Sequence, residues 1–198
     1  MVRLKICGVK RLEDIELMNR YKPDYVGFVF ADSPRKVTHE LSKTLKENLN
    51  PEIKTVGVFV DAEISEILKL HEDNIIDMAQ LHGQESQEYI DTLKEKTGNQ
   101  LEIIKAVEIR SSDDLDKLDY DADYLLLDSG KGSGKTFSWH LIEDRIDKNF
   151  FLAGGINRDN VELAISRFQP YAIDLSSGVE KDGFKNEELI KEIVERID

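Results

Sequence analysis

Short apolar runs alternate with amphipathic stretches along the whole chain. A run of this length predicts a strand buried on both faces, and apolar residues at helical spacing predict a helix packed on one side. The predicted strands are residues 4–7, 25–30, 55–60, 77–82, 101–107, 124–128, 150–155 and 171–176. The predicted helices lie around residues 12–18, 41–49, 64–71, 86–96, 112–118, 138–147, 160–168 and 187–197.

Eight strand–helix units follow one another without a linker or a low-complexity stretch. This alternation predicts an α/β protein, a single (β/α)8 TIM barrel in which residues 1–198 form one domain. Such barrels typically have about 250 residues, so the loops and helices here must be short. A doubly wound open sheet is the alternative. Because no Gly-x-Gly-x-x-Gly follows the first strand, a dinucleotide-binding version of that sheet is disfavoured.

Residues 125–139 form an apolar strand that ends in the carboxylate of Asp128 and continues into a loop with three glycines. A carboxylate at the carboxyl end of a strand, beside a glycine-rich loop, is typical of the catalytic end of α/β proteins. An aspartate that caps a turn is the alternative. Residues 134–136 (Gly-Lys-Thr) look like the end of a P-loop, but Ser129 stands where that motif requires its first glycine, which argues against nucleotide hydrolysis.

The bulk composition narrows the class of protein. Hydrophobic residues make up 40% of the chain, and no apolar run is long enough for a membrane span. The net charge of −13 argues against a nucleic-acid or anionic-membrane partner. The amino terminus lacks the apolar region of a signal peptide, and the single cysteine cannot form an internal disulfide, so we predict a cytoplasmic protein. An anionic ligand would need local donors to overcome the overall charge.

Strand parity groups residues that carry reactive side chains. Residues two apart in a strand share a face, so the pairs predicted to point the same way are Lys5 and Cys7, Gln80 and His82, Leu126 and Asp128, and Ala172 and Asp174. In each pair the reactive residue closes its strand. The carboxyl ends of all barrel strands meet at one mouth, where barrel enzymes have their active sites.

Several short segments at the predicted strand ends form a recognisable series. They are residues 5–8 (Lys-Ile-Cys-Gly), 27–30 (Gly-Phe-Val-Phe), 33–35 (Ser-Pro-Arg), 56–59 (Val-Gly-Val-Phe), 80–83 (Gln-Leu-His-Gly), Asp128 with the loop to Trp139, 152–156 (Leu-Ala-Gly-Gly-Ile) and 174–180 (Asp-Leu-Ser-Ser-Gly-Val-Glu). Each segment is weak evidence alone. Together, in this order over the whole chain, they resemble the phosphoribosylanthranilate isomerase family.

The resemblance implies a (β/α)8 barrel that uses no metal and no organic cofactor. It also implies the Amadori rearrangement of a small phosphorylated substrate, N-(5-phosphoribosyl)anthranilate, in tryptophan biosynthesis. Three positions depart from the family pattern: the loop at residues 130–136 is less tight, Ser138 replaces a common aspartate, and Leu175 replaces a common valine. These departures do not touch the implied acid and base.

The resemblance assigns the general acid to Asp128 and the general base to Cys7. A carboxyl group must have its pKa raised to donate a proton at neutral pH, and a thiol must be thiolate to accept one. We expect the apolar strand to desolvate Asp128, and Lys5 to favour the thiolate. A small buried hydrophobe is the alternative for a lone cysteine. His39, His71 and His140 show no metal-ligand spacing.

The remaining site residues are assigned to binding. Gly154, Gly155, Ser177 and Gly178 are expected to bind the phosphate through backbone amides, with a short helix after the eighth strand. Ordinary turn glycines are the alternative. Arg35 is assigned to the anthranilate carboxylate, with a solvated loop arginine as the alternative. Gln80, His82 and Asp174 are expected to line the mouth, although a packing histidine fits His82 equally well.

Two other functions are compatible with the barrel. A phosphosugar lyase or synthase would use a catalytic lysine at a strand end, and Lys105 is the nearest candidate. A non-catalytic module that binds a phosphorylated ligand would make the pairing of Cys7 and Asp128 accidental. For the assembled protein we predict a monomer or a homodimer.

Overall fold

In the computed structural model, eight parallel strands close into a barrel, which confirms the predicted fold. The structure describes residues 2–111, 113–114, 118–128 and 149–197. The strands are β1 (Arg3–Cys7), β2 (Tyr25–Val29), β3 (Lys54–Phe59), β4 (Met78–Leu81), β5 (Glu102–Glu108), β6 (Tyr124–Asp128), β7 (Phe150–Ala153) and β8 (Ala172–Leu175). Each strand pairs with the next, and β8 pairs with β1, with Lys5 beside Asp174.

Helices follow most of the strands, close to the predicted positions. They are α1 (Leu12–Tyr21), α2 (His39–Asn48), α3 (Ile64–Glu72), α4 (Gln87–Lys96), α5 (Val161–Phe168) and α6 (Glu187–Ile197). Thr38 and Ser86 begin α2 and α4 by accepting backbone N–H bonds of 3.2 and 3.3 Å. After β8 come a single 3₁₀ turn (Ser177–Val179) and a hairpin of β9 (Glu180–Lys181) and β10 (Phe184–Lys185).

Some predicted features fall on parts of the chain that the structure does not describe. They are the glycine loop at residues 130–136, Trp139, the helix at residues 138–147 and most of the helix at residues 112–118.

Alternation along the strands produces two apolar layers. One layer fills the barrel interior with Tyr25, Val56, Met78, Ile104, Ala106, Leu126, Phe151, Ala153 and Ala172. The other lies between the strands and the helices, and it includes Phe28, Leu125 and Ile193. Because both faces of every strand are covered, the strands read as continuous apolar runs in the sequence.

Aromatic side chains close the amino-terminal end of the barrel. The hydroxyl of Tyr171 lies 3.0 Å from that of Tyr25 and 3.2 Å from that of Tyr124. Phe151 packs edge-on against Tyr25 and Tyr124, with ring centroids 5.4 and 5.5 Å apart. The open end of the barrel is therefore the carboxyl end of the strands.

An aspartate directly precedes β2, β4 and β6, and each bonds back to the odd-numbered strand before it. In each case the carboxylate accepts a backbone N–H bond. The pairs are Asp24 with Leu4 at 2.8 Å, Asp77 with Thr55 at 2.7 Å, and Asp123 with Ile103 at 2.8 Å. These bonds fix the offset between neighbouring strands at the closed end of the barrel. Asp77 was predicted inside β4 but lies just before it, since β4 begins at Met78.

We expect Asp77→Asn to lower the free energy of unfolding by about 1 kcal/mol at pH 7. Partial burial alone would raise the pKa of Asp77, but the bonds from Lys46 and Thr55 hold that pKa below 3.8. A depressed carboxyl pKa stabilises the fold above the unfolded-state value, and this contribution is lost as the pH falls through the folded-state value.

Urea denaturation of both proteins at pH 7 and at successively lower pH measures the effect. The difference in free energy of unfolding between the parent and Asp77→Asn should shrink as the pH falls below 3.8. Asp182→Asn, at an exposed hairpin position, should leave the free energy of unfolding nearly unchanged at any pH. If Asp77→Asn loses the same free energy of unfolding at every pH, the charge of Asp77 is not the cause of the loss.

Candidate active site

A cavity of about 400 Å³ opens at the carboxyl end of the barrel. Every residue predicted from the sequence as part of the site lines it. These residues are Cys7, Arg35, Gln80, His82, Asp128, Gly154, Gly155, Asp174, Ser177 and Gly178. The cavity thus gathers side chains from β1, β4, β6 and β8 with the loops after β2, β7 and β8.

Cys7 ends β1 and is buried in the cavity wall, with 8% of its surface exposed. Gly27 lies beside it in register on β2, where a Cβ atom would come 2.7 Å from the Cys7 sulfur. Burial raises the pKa of the Cys7 thiol above its usual value, and the positive charge of Lys5 lowers this pKa only in part. Lys5 acts in the expected direction, but burial outweighs it, so the site as a whole favours the thiol over the thiolate.

Lys5 and Asp174 form an ion pair inside the barrel, between β1 and β8. The Lys5 ammonium lies 2.8 Å from Oδ2 of Asp174, and the lysine side chain is fully buried. Burial alone would lower the pKa of Lys5, but the Asp174 carboxylate and the Cys7 sulfur together raise it. Within the described residues, Oδ1 of Asp174 has no hydrogen-bond partner.

Gln80, His82 and Asp128 form a chain of contacts across the cavity. The Gln80 amide nitrogen lies 2.9 Å from Nδ1 of His82, and Nε2 of His82 lies 3.5 Å from Oδ2 of Asp128. When the amide donates to Nδ1, the ring proton sits on Nε2, which faces Asp128. His82 is therefore a cavity residue in contact with Asp128 rather than a packing histidine. The buried Gln80 oxygen finds no donor within the parts of the chain that the structure describes.

Arg35 is bound to a carboxylate that the sequence analysis gave no role. Its Nε and one terminal nitrogen donate to the two oxygens of Glu180, at 2.8 and 2.6 Å. A side-on pair of this kind fixes the plane of the guanidinium group. The alternative of a solvated loop arginine is therefore wrong, while the assignment of Arg35 to the anthranilate carboxylate stays a prediction.

Lys185 is the second residue that the sequence analysis missed. Its side chain is buried and bonds to Glu180 at 2.7 Å and to the backbone oxygen of Cys7 at 2.6 Å. Cys7 and Lys185 are 178 positions apart, and the chain has 27 Lys and Arg residues. Periodicity does not single out one lysine in such a set, because its burial depends on the closed barrel.

The loops after β7 and β8 meet at the cavity. Gly154 and Gly155 have φ angles of +87° and +68°, which favour glycine. A Cβ atom on Gly178 would lie 2.0 Å from the backbone oxygen of Ile156, so only glycine allows the two loops to approach this closely. The predicted short helix after the eighth strand is the 3₁₀ turn Ser177–Val179, whose first backbone N–H groups have no intrahelical partner.

Lys105 lies outside the cavity. The neighbouring Ile104 and Ala106 face the barrel interior, so Lys105 points away from it. Its ammonium bonds to Glu85 at 2.7 Å and to the backbone oxygen of Gly83 at 2.8 Å. Lys105, the candidate for the catalytic lysine of a lyase or synthase, is therefore part of a buried ion pair with Glu85 and does not reach the cavity.

The histidines outside the cavity have other surroundings. His39 pairs with Asp73 at 2.8 Å, and His140 lies outside the described residues. Within the described ranges, His, Cys, Asp and Glu form no cluster of three or more that could hold a metal ion. In the same ranges, no helix is long and apolar enough to cross a membrane.

Comparison with known proteins places the chain among similar sequences and structures. The family model described as N-(5'phosphoribosyl)anthranilate (PRA) isomerase matches residues 4–196. The N-(5'-phosphoribosyl)anthranilate isomerase of Clostridium acetobutylicum is 44% identical over 206 aligned positions, covering 100% of this chain and 98% of the relative.

Two solved structures extend the comparison. The phosphoribosyl anthranilate isomerase of Thermus thermophilus is 34% identical with a TM-score of 0.88, covering 99% of this chain and 98% of the other. A second such isomerase, solved in complex with reduced 1-(o-carboxyphenylamino)-1-deoxyribulose 5-phosphate, is 35% identical with a TM-score of 0.85 and the same coverage.

We expect Gly178→Ala to weaken the binding of inorganic phosphate by at least about tenfold, because the new methyl group forces the two loops apart. Isothermal titration calorimetry measures the dissociation constant. Gly98→Ala is the matched control, since Gly98 has a positive φ of +58° but open space around it. Equal phosphate affinity in Gly178→Ala and the parent would show that the two loops do not form an anion site.

Proposed function

The chain belongs to the N-(5'-phosphoribosyl)anthranilate isomerase family, and we propose how its cavity performs the reaction of that family. The reaction is the Amadori rearrangement of N-(5-phosphoribosyl)anthranilate to 1-(2-carboxyphenylamino)-1-deoxyribulose 5-phosphate, a step of tryptophan biosynthesis. The rearrangement is an isomerisation that opens the ribose ring and needs no oxidant, reductant or second substrate, so an acid and a base on separate sides of the sugar are sufficient. The observation that carries the proposal is that Cys7 and Asp128 line one cavity from β1 and β6.

Asp128 is the general acid in this proposal. It delivers a proton to the ring oxygen of the ribose while the anilino nitrogen forms an iminium and the C1'–oxygen bond breaks. The side chain of Asp128 is 24% exposed and lies 3.5 Å from Nε2 of His82. In this proposal Nε2 of His82, which faces the carboxyl group, stabilises the carboxylate left after proton transfer.

Cys7 is the general base. It removes the proton from C2' of the iminium, which gives an enolamine that becomes the ketone. The raised pKa of the thiol makes the thiolate scarce in the free protein but a strong base once it forms. Lys5, the nearest cation, partly offsets the cost of thiolate formation in the buried site.

The substrate is held by groups that remain available in the cavity. The backbone amides of Gly154, Gly155, Ser177 and Gly178 are the proposed phosphate donors, and they act locally against the net charge of −13. The unpartnered oxygens of Gln80 and Asp174 are acceptors for the sugar hydroxyls. These contacts orient C2' toward Cys7.

Arg35 is proposed to bind the anthranilate carboxylate. Glu180 already occupies Nε and one terminal nitrogen of the guanidinium group. The other terminal nitrogen keeps two N–H donors, which is enough for a second carboxylate. Arg35 also lines the cavity, so it can lie between Glu180 and the substrate. The predicted cytoplasmic location and the predicted monomer or homodimer stay predictions.

We expect Cys7→Ser and Asp128→Asn each to lower kcat by roughly 10²- to 10⁴-fold, with little change in KM, because each removes one proton-transfer group. A fluorescence assay that follows the loss of phosphoribosylanthranilate measures both constants. Asp121→Asn is the control, at a surface aspartate that is 83% exposed. Turnover near that of the parent in either variant would remove that residue from the mechanism. No turnover in the parent protein itself would favour a binding module.

We expect Arg35→Lys to raise KM about tenfold with a smaller change in kcat, because an ammonium group does not bind two carboxylates side-on. Steady-state kinetics measures this split. Arg158→Lys is the matched control, because Arg158 also pairs with a glutamate, Glu192, but does so on the exposed surface. An unchanged KM in Arg35→Lys would show that the guanidinium group does not contact the substrate.

A further inference from the structure

Lys185 is a buried cation at the seam where the barrel closes. It lies on β10 and only 5% of its surface is exposed. Its ammonium nitrogen lies 2.6 Å from the backbone oxygen of Cys7, 3.1 Å from that of Ser176 and 2.7 Å from Oε1 of Glu180. Three oxygen acceptors match the three N–H donors of an ammonium group, so the geometry is that of the charged lysine. Burial lowers the pKa of Lys185 below its usual value, and the Glu180 carboxylate opposes this only in part.

The two backbone oxygens belong to the ends of neighbouring strands. Cys7 is the last residue of β1, and Ser176 directly follows the last residue of β8. Beyond these residues the two strands separate, and Lys185 joins their ends in place of a further ladder bond. The same ammonium group therefore touches the backbone of the proposed base and the start of the proposed phosphate loop.

The hairpin that carries Lys185 is fastened on its outer side as well. The ring of Phe184 lies under the charged groups of two residues that follow β1, with Lys10 at 4.9 Å and Arg11 at 4.0 Å from the ring centroid. Cation–π contacts of this kind are attractive even at exposed sites. The hairpin is thus held against the loop after β1 by Phe184 and against the end of β1 by Lys185.

We propose that Lys185 is a positioning residue for Cys7: it fixes the end of β1 to the end of β8 and places a positive charge beside the thiol. This inference rests on the proposed role of Cys7 as the base. Lys185 itself touches the backbone of Cys7 and has no contact with the reacting atoms in this arrangement. Its effect on turnover therefore has to pass through the position and the charge state of the sulfur.

The charges around Cys7 in the described residues come from four elements. Lys5 on β1 and Lys185 on β10 lower the pKa of the Cys7 thiol, and Asp174 on β8 raises it. Arg35, in the loop after β2, is a further cation that interacts with the sulfur. Burial is the largest influence and raises this pKa. When the Lys185 charge is removed, less positive charge opposes the effects of burial and Asp174. The pKa of the Cys7 thiol then rises, and the thiolate becomes scarcer.

The test uses the single cysteine of the chain as its own probe. The rate of Cys7 alkylation by iodoacetamide, measured against pH, reports the thiolate fraction without any substrate. We expect Lys185→Met to move the midpoint of this titration to higher pH. Lys185→Gln, whose amide still donates to a backbone oxygen, is a milder second variant if the methionine variant does not fold, and it should move the midpoint the same way.

Two further variants separate charge from general disruption. Lys185→Arg retains the cation and should keep the midpoint near that of the parent. Lys181→Met makes the same substitution at an exposed position of the same hairpin and should change neither the midpoint nor turnover. In Lys185→Met and Lys185→Gln we expect kcat to fall on the order of 10- to 100-fold, because the base is displaced, with the kcat/KM profile shifted to higher pH.

The outcomes distinguish this inference from the proposed function. A midpoint in folded Lys185→Met and Lys185→Gln equal to that of the parent overturns the role of Lys185, whatever the activity of the variants. Full activity in Cys7→Ser overturns Cys7 as the base, although the alkylation midpoint would still move in the Lys185 variants. A moved midpoint together with an inactive Cys7→Ser supports both.

Discussion

The pairing of β1 with β8 is the contact on which the rest of the site depends. It joins the first strand to the last and turns a twisted parallel sheet into a closed barrel. Closure directs the carboxyl ends of all eight strands to one mouth, while tyrosines fill the other end. Cys7 and Asp174, which are far apart in the chain, thereby come to line one cavity.

Buried charges mark this seam. Lys5 pairs with Asp174 below the cavity, and Lys185 joins Glu180 and two strand ends beside it. Burial of a lysine is costly unless its partners replace the lost water, and both lysines have such partners. Each lysine is paired with a carboxylate, and neither lines the cavity, whereas Arg35 does. In a protein whose net charge is −13, the proposed local donors to an anionic phosphosugar are therefore Arg35 and the backbone amides of the loops after β7 and β8.

The fold was predictable because it follows from local pattern, while the residues that line the cavity were identified from strand parity together with the resemblance to the family. Apolar runs gave the strands, parity put Gln80 with His82, and barrel geometry put the strand ends together. The aspartates before β2, β4 and β6 also carry a signal that was available, since each directly precedes a strand. Asp77 was instead assigned to the strand because the apolar run was extended by one residue.

The interactions within the site were not predictable in the same way. The bond from Lys185 to Cys7 and the pairing of Arg35 with Glu180 join residues 178 and 145 positions apart, and no period in the sequence reports such contacts. The raised pKa of Cys7 is also a property of the assembled site, because it is a balance between burial and several charges. The sequence identified Lys5 as a neighbour of Cys7. It did not show that burial raises the pKa of the thiol by more than Lys5 lowers it.

The central claim is that Cys7 and Asp128 act on one sugar from two sides of the cavity. A crystal structure with the reduced product 1-(2-carboxyphenylamino)-1-deoxyribulose 5-phosphate bound tests it most directly. We expect the Cys7 sulfur within about 3.5 Å of C2' and a carboxyl oxygen of Asp128 at a similar distance from the C4' oxygen, which is the former ring oxygen. An analogue bound in this cavity with C2' turned away from the sulfur, or bound elsewhere on the protein, would contradict the account.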